Sequence, residues 1–257
     1  MNFTEQELLS VLASYMWPFV RISSMFISIP VFSVKALPAK VRVITALLIT
    51  IVVVPVLPEI AKVDMFSYQG FLVTVQQLLI GLSTGFILQM VFAVMLVGGQ
   101  SIAYSMGLGF SSMVDPATGI QVPVVAQIFL VSSSLVFLSV NGHLLVIEML
   151  VESFTTIPIA TIGFSLQDVW SIVIWSSQIF VGGLLLALPV MMTLLFINIS
   201  FGVAARAAPQ LQIFGVGFPI TIMLGMVLIW TSIANALGVF SDVLTDGFRI
   251  ISQLLKL

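Results

Sequence analysis

Residues 71–101 read FLVTVQQLLIGLSTGFILQMVFAVMLVGGQS, and they lie inside a stretch from Asp64 to Asp115 that contains no other Asp, Glu, Lys or Arg. A helix crosses ~30 Å of hydrocarbon in about 20 residues, so this run is more than long enough to span a membrane. As a straight helix it reaches ~45 Å at 1.5 Å per residue, and it must tilt, bend or protrude. Two further charge-free intervals, Asp168 to Arg206 and Arg206 to Asp242, are also long enough to span. Backbone polar groups inside lipid must be satisfied within the segment, so apolar runs of this length become helices. The alternating pattern of a membrane β-barrel is not seen. The fold class that follows is all-α: a polytopic membrane protein of about six long hydrophobic helices or bent helical hairpins.

Composition agrees: 60% of the 257 residues are apolar and only 7% charged, against roughly 25% charged in a soluble domain. A net charge of -2 without a Lys/Arg cluster excludes a nucleic-acid surface. The absence of cysteine excludes disulfides and thiol chemistry. The acidic N-terminus differs from the basic start of a secretory signal. Thr4 and Glu7 read instead as a capping box opening the first helix.

The other runs are expected at Leu8–Val34, interrupted by Pro18, Arg21 and Pro30; at Val43–Leu57; at Val124–Val140; at Val169–Phe201; and at Ile213–Phe240. The last is broken early by Gly215, Gly217 and Pro219, after a small-residue loop, Gly202–Gln212, around Arg206. Residues 241–257 alternate apolar and charged positions as a surface-lying helix would. With the N-terminus outside, Lys35, Lys40, Arg42 and Arg206 fall on the cytoplasmic side, while Lys62, Arg249 and Lys256 fall outside. The positive-inside rule favours that orientation only by a narrow margin.

Ionisable residues at membrane depth persist for function, and few are present. Arg21 pairs with an acid or a backbone carbonyl, or, the favoured reading, snorkels or meets a neighbouring subunit. Glu148 and Glu152 share a helix face, which reads as solvated more readily than as a cation or proton site. His143, the sole histidine, cannot build a multi-histidine metal centre, and a turn or hydrogen-bonding role is favoured. Ser132, Ser133 and Ser134 lack the adjacent base a nucleophile needs, leaving interhelical hydrogen bonding. Gly81 and Gly85 form a small-xxx-small step for close helix packing. Gly107-Leu108-Gly109 lacks the Lys and Ser/Thr of a phosphate loop. No catalytic, cofactor-binding or metal site is expected.

The stretch from Tyr104 to Pro123 is the most unusual. It is too rich in Gly and Pro for a helix and too apolar for a solvent loop. Irregular backbone at membrane depth is tolerated when it is buried in protein or lines a cavity. Met106, Leu108, Phe110 and Met113 are bulky enough to fill a constriction that gates by excluding water. An ordinary interhelical loop packed on its own subunit accounts for the same residues equally well.

The run Met106, Gly107, Leu108, Gly109, Phe110, then Val114, Asp115, Pro116, Gly119, Val122 and Pro123, resembles the central loop of the FliR family. Ala207-Ala208-Pro209-Gln210-Leu211 through Ile213-Phe214 to Val216-Gly217-Phe218-Pro219 is similar to that family's late motif. The early stretch around Arg21, Pro30, Phe32, Pro38 and Arg42 is similar too. The resemblance implies a core membrane subunit of the flagellar type III export apparatus, in the bacterial inner membrane at the flagellar basal body. Asp115 followed by proline and glycine favours the flagellar over the virulence branch. It further implies assembly with FliP and FliQ homologues, neighbouring FlhB and FlhA homologues, exported flagellar proteins in transit, membrane lipid around it and no nucleic acid. One domain, 1–257, is then expected, with a FliP-like part (1–200, including a plug loop 104–123) and a FliQ-like hairpin and tail (201–257).

In that family the loop forms a plug inside the pore. This assigns Met106, Gly107, Leu108, Gly109, Phe110, Met113, Val114, Asp115, Pro116 and Gly119 to the plug, with Gly107, Gly109 and Gly119 as hinges. Arg21, Arg206, Pro209, Gly217 and Pro219 become structural or partner-contact positions. The alternative is a small-molecule or ion secondary transporter whose site lies at the Gly215–Pro219 break. The lack of an inverted repeat and of intramembrane charge speaks against it.

Overall fold

The computed structural model describes residues 5–32, 38–58, 63–109, 112–114, 121–160, 163–207 and 217–257. The elements are α1 (Glu5–Ser28), α2 (Ala39–Val53) with a 3-10 turn (Val54–Val56), α3 (Tyr68–Ser105), β1 (Ser112–Val114), β2 (Gln121–Pro123), α4 (Val124–Ser139), α5 (Gly142–Thr156), α6 (Leu166–Trp175), α7 (Gln178–Ala207) and α8 (Phe218–Leu255). The all-α membrane reading holds. Among the described residues, four segments are long and apolar enough to cross a membrane: Ala39–Val56, Tyr68–Ser105, Leu166–Arg206 and Phe218–Leu255. The α4–α5 pair, bent by 61°, makes a fifth if it is one span. The expected count of about six is therefore not what these segments give.

Three boundaries also differ from the sequence reading. Helix α3 continues through Tyr104 to Ser105, and the segment after it closes with a short antiparallel ladder. Helix α7 runs on through Arg206 to Ala207, because residues 202–207 contain no proline to stop it. The tail is not a separate surface helix: α8 is continuous for 38 residues, or about 57 Å. Its apolar positions keep one helical phase across Ser241–Thr245, and nothing there breaks it. Thr4 lies outside the described residues.

Chain contacts group the structure into two compact units. The first comprises Met1–Gln89, Asn141–Ser176 and Asp246–Leu257. Here α1 lies against the first half of α3 at backbone distance. A side chain added at Gly81 would collide with the Arg21 carbonyl and the Ser24 hydroxyl, and one at Gly85 would collide with Ser28. The small-xxx-small step on α3 thus faces a second one, Ser24 and Ser28, on α1. Such facing notches permit the close approach by which membrane helices gain dispersion energy without a hydrophobic driving force. Trp17, fully buried, donates its indole N–H to Thr74 Oγ1 at 3.2 Å. Helix α2 buries Ala46 and Thr50, half-buries Arg42, Thr45, Ile49 and Val53, and exposes the remainder. Ser165 and Asp168 form a reciprocal capping box that starts α6. This signal stood in the sequence but was masked by the apolar run that follows.

The second unit comprises Met90–Val140 and Ser177–Thr245. Gly98 on α3 meets Leu186 and the Gly183 carbonyl of α7, Gly99 meets Ala126 of α4, and Gly182 meets Val94. Phe92 sits between Phe137 and Phe240 in edge-to-face contacts with centroids 5.7 and 5.3 Å away. Ser133 and Ser134 do not bond between helices as expected. Both hydroxyls donate to the Leu130 carbonyl of their own helix, at 2.9 and 2.8 Å, the usual way a hydroxyl is satisfied in an apolar helix.

The facing notches give a first expected result. Gly81→Val should destabilise the protein by about 1–3 kcal/mol or more, because the Arg21 carbonyl and Met25 backbone, besides the Ser24 hydroxyl, occupy the space. Gly202→Ala, with nothing within 4 Å, should be neutral to slightly stabilising. Thermal unfolding of the two variants in detergent, side by side, checks both.

Candidate functional site: the loop after α3 and the buried Arg21

Helix α3 ends in a locked C-cap. The Leu108 N–H donates to the Ala103 carbonyl at 2.9 Å, and the Gly107 N–H to the Tyr104 carbonyl at 3.0 Å. With Gly107 at φ +77°, this is the paired 6→1 and 5→2 pattern of a Schellman motif, which satisfies the helix's last carbonyls. A side chain at this φ is strained, so the position requires glycine. These two hydrogen bonds, one donated by Gly107 and one by Leu108, make the cap a fixed terminator of α3.

Met106, just before the cap, is fully buried in the second unit. Gly107 faces Phe218, and Gly109 lies against the Tyr104 ring. Beyond these, Ser112, Met113 and Val114 pair antiparallel with Pro123, Val122 and Gln121. This narrow two-stranded neck returns the chain to α4. Pro123 then serves as the N-cap of α4. Phe110, Asp115, Pro116, Gly119 and Pro209 lie outside the described residues, and Met113 and Val114 are placed through their backbone pairing.

The other sequence candidates are scattered. Arg206 is exposed in the last turn of α7, where a cation complements the helix dipole. The Gly217 carbonyl accepts from Thr221 Oγ1 at 2.9 Å, which closes the first turn leading into α8. Pro219 is the second residue of α8 and exposed, a position where its missing N–H costs nothing. Glu148 and Glu152 are both exposed on α5. Among the described residues no group of three or more His, Asp or Glu side chains comes together as a metal site.

Arg21 is not at the surface, and the snorkelling reading is replaced by a built internal site in the first unit. The residue is fully buried. Its Nε donates to Gln77 Oε1 at 2.7 Å; Nη1 donates to the Ser153 carbonyl at 3.1 Å and the Ser153 hydroxyl at 3.0 Å; Nη2 donates to the Ile157 carbonyl at 2.9 Å. The guanidinium also lies 4.2 Å from the centroid of the Phe154 ring, within cation–π range. These partners are neutral. The negative end of the α5 dipole, whose final carbonyls point at the cation, does the work a carboxylate would otherwise do. Next to it Thr156 Oγ1 donates to the Leu255 carbonyl at 2.5 Å, so the same end of α5 also holds the end of α8. The spacing of 132 residues between Arg21 and Ser153 left no local sequence signal for this junction.

Fold and site together define a class: a polytopic helical membrane protein whose special features are an irregular apolar loop and a buried structural cation. A family description, bacterial export proteins, family 1, matches residues 12–247, and the chain belongs to that family. It is 38% identical to the flagellar biosynthetic protein FliR of Escherichia coli K12 over 228 residues, 89% of this chain and 87% of that one. It is 32% identical to the FliR of Buchnera aphidicola from Acyrthosiphon pisum over 96% of this chain and 95% of the relative. With the FliR of Bacillus subtilis it shares 25% identity over 97% of both chains. The resemblance read from the loop and the late motif is thereby borne out.

Proposed function

We propose that this chain is a non-catalytic pore subunit of the bacterial flagellar protein-export apparatus, residing in the inner membrane at the flagellar basal body. In this reading it closes a hetero-oligomer with FliP and FliQ homologues, next to FlhB and FlhA homologues. Its first 200 residues are the FliP-like part and the remainder the FliQ-like part. Segment 104–123 is a hydrophobic plug that seals the resting pore and yields to an unfolded exported protein.

The observation that carries the proposal is the interruption itself. Between two apolar helices, α3 and α4, the chain leaves helical geometry through a fixed cap and returns through a two-stranded neck, with apolar residues on the excursion. Lipid does not tolerate such backbone, whereas a protein-lined cavity does. A second support is the amount of unpartnered apolar surface. Phe180, Leu184, Leu188, Leu195 and Ile199 lie exposed along α7, and Met223, Val227 and Trp230 along α8. More than half of the best apolar window of α3, 61%, is covered by the chain itself, against 22% for α8. Partner helices and lipid would cover the remainder.

The test is composition and size after gentle detergent extraction, with the tagged chain co-expressed with its neighbouring membrane genes. Co-elution with two other small membrane proteins in one large, stable complex is the expected result. A lone monomer or homodimer that binds a small solute would overturn the reading in favour of a transporter.

A further inference from the structure

Met106 and Gly225 fit together as knob and socket. If Gly225 carried a Cβ, that atom would lie 2.5 Å from Met106 Cε, 2.7 Å from its Cγ and 2.9 Å from its Sδ. The whole thioether therefore lies across the glycine, not just its flexible tip, and Met106 is fully buried there. At the next residue of the chain, and two turns earlier on α8, a side chain at Gly107 would meet the Phe218 ring at 2.8 Å. Phe218, Thr221 and Gly225 recur at i, i+3 and i+7 and so share one face of α8. Between the two contacts, the Thr221 hydroxyl reaches the Asn198 Oδ1 of α7 at 3.3 Å and ties that face of α8 to its neighbour.

We infer that Gly225 is the socket that positions the loop after α3, with Met106 as its knob and Phe218 as a brace on the cap glycine. Because the cap is locked by the Gly107 and Leu108 N–H bonds, Met106 and the start of the loop move together with the first two turns of α8. A shift of α8 along or about its axis is transmitted to the loop base, and a side chain in the socket displaces the loop base. Methionine suits the role, since its unbranched thioether fills an irregular notch that a β-branched residue would not enter. The inference rests on the plug reading for its functional consequence, but the packing itself stands on the contacts above.

Two measurements on the full chain in its assembled complex test it. The first is a mutant cycle read as flagellar export and resting ion leak. Gly225→Val should reduce export and raise leak, Met106→Ala should have a smaller effect, and the double variant should recover to the level of Met106→Ala, a coupling of about tenfold or more. A double variant as defective as Gly225→Val alone overturns the socket. The second uses the absence of native cysteine. Met106 Cγ at 2.7 Å from the Gly225 Cβ position puts the two Cβ sites within about 4.2 Å, inside the ~3.5–4.5 Å that a disulfide needs. The Met106→Cys, Gly225→Cys pair should cross-link on oxidation in the membrane, and its absence would overturn the packing. If the pair cross-links and the cycle couples in thermal stability, while Leu108→Gly with Phe110→Gly leaves the membrane tight, the plug reading fails. The positioning role then fails with it, and the knob-and-socket packing survives.

Discussion

Replacing Arg21 with leucine should leave almost no assembled protein. The guanidinium saturates the Ser153 and Ile157 carbonyls, the Ser153 hydroxyl and Gln77 Oε1 in one fully buried place. Leucine fills part of the volume but donates nothing. The Ser153 carbonyl keeps the Ile157 N–H, but a buried acceptor that loses its donor, as Gln77 Oε1 does, costs about 1–3 kcal/mol, and removing one side of a buried charged network costs about 3–5 kcal/mol. That is a large share of the roughly 5–15 kcal/mol by which a native protein is stable. The loss falls on α1, α3 and α5 together, since this one side chain on α1 bonds to Gln77 on α3 and to Ser153 and Ile157 at the end of α5. Arg21→Lys keeps the charge but not the planar fork, so it should recover only part of the loss. Yield and thermal stability of the two variants in detergent check the ranking wild type, lysine, leucine. Equal stability of leucine and wild type would show that the network contributes nothing net.

The all-helical membrane fold was legible because its signal is long-range and redundant. Absence of charge over whole intervals such as Asp64–Asp115 survives any error at the ends. Element boundaries were less legible where the determining contact is local but weak. The break between α6 and α7 falls at Ser176–Ser177, in an apolar run without proline or glycine. The capping box at Ser165 and Asp168, which starts α6, was overlooked. The early end expected for α3 came from weighting Gly107 and Gly109 as breakers over the whole segment, whereas a glycine at C′ ends a helix only at its own position. The three-residue strands β1 and β2 are too short for any alternation pattern to register.

The candidate site divides in the same way. Gly107 and the apolar residues around it stood out by composition. The socket for Met106 did not, because Gly225 reads as one more small residue in an apolar helix until α8 is placed beside α3. The environment of Arg21 was hidden for the same reason. Two of its four acceptors are backbone carbonyls, which every residue carries and no sequence pattern marks, and the other two are neutral side chains far away in the chain.

The plug variant is the second large effect. Leu108 follows the locked cap and is half-buried, and Phe110 is the next bulky side chain along the loop. In a closed, water-excluding constriction each such side chain stabilises the seal by about 1.5–3 kcal/mol. Removing both shifts the closed–open balance by roughly a hundredfold or more. Glycine at both positions also frees the backbone, which favours opening further. Hydrophobic gates fail by wetting, so the first thing to cross is a small ion and not an exported protein. The export apparatus should still assemble, because neither residue belongs to the Arg21 junction or to the α1–α3 notches.

The measurement that bears most directly on this account is therefore ion conductance of membranes holding the assembled complex, wild type against Leu108→Gly with Phe110→Gly, at matched complex abundance. A tight wild type and a strongly conducting variant, with slowed growth in cells that express it, is the predicted result. Equal, low conductance in both would contradict it and place the seal outside this loop.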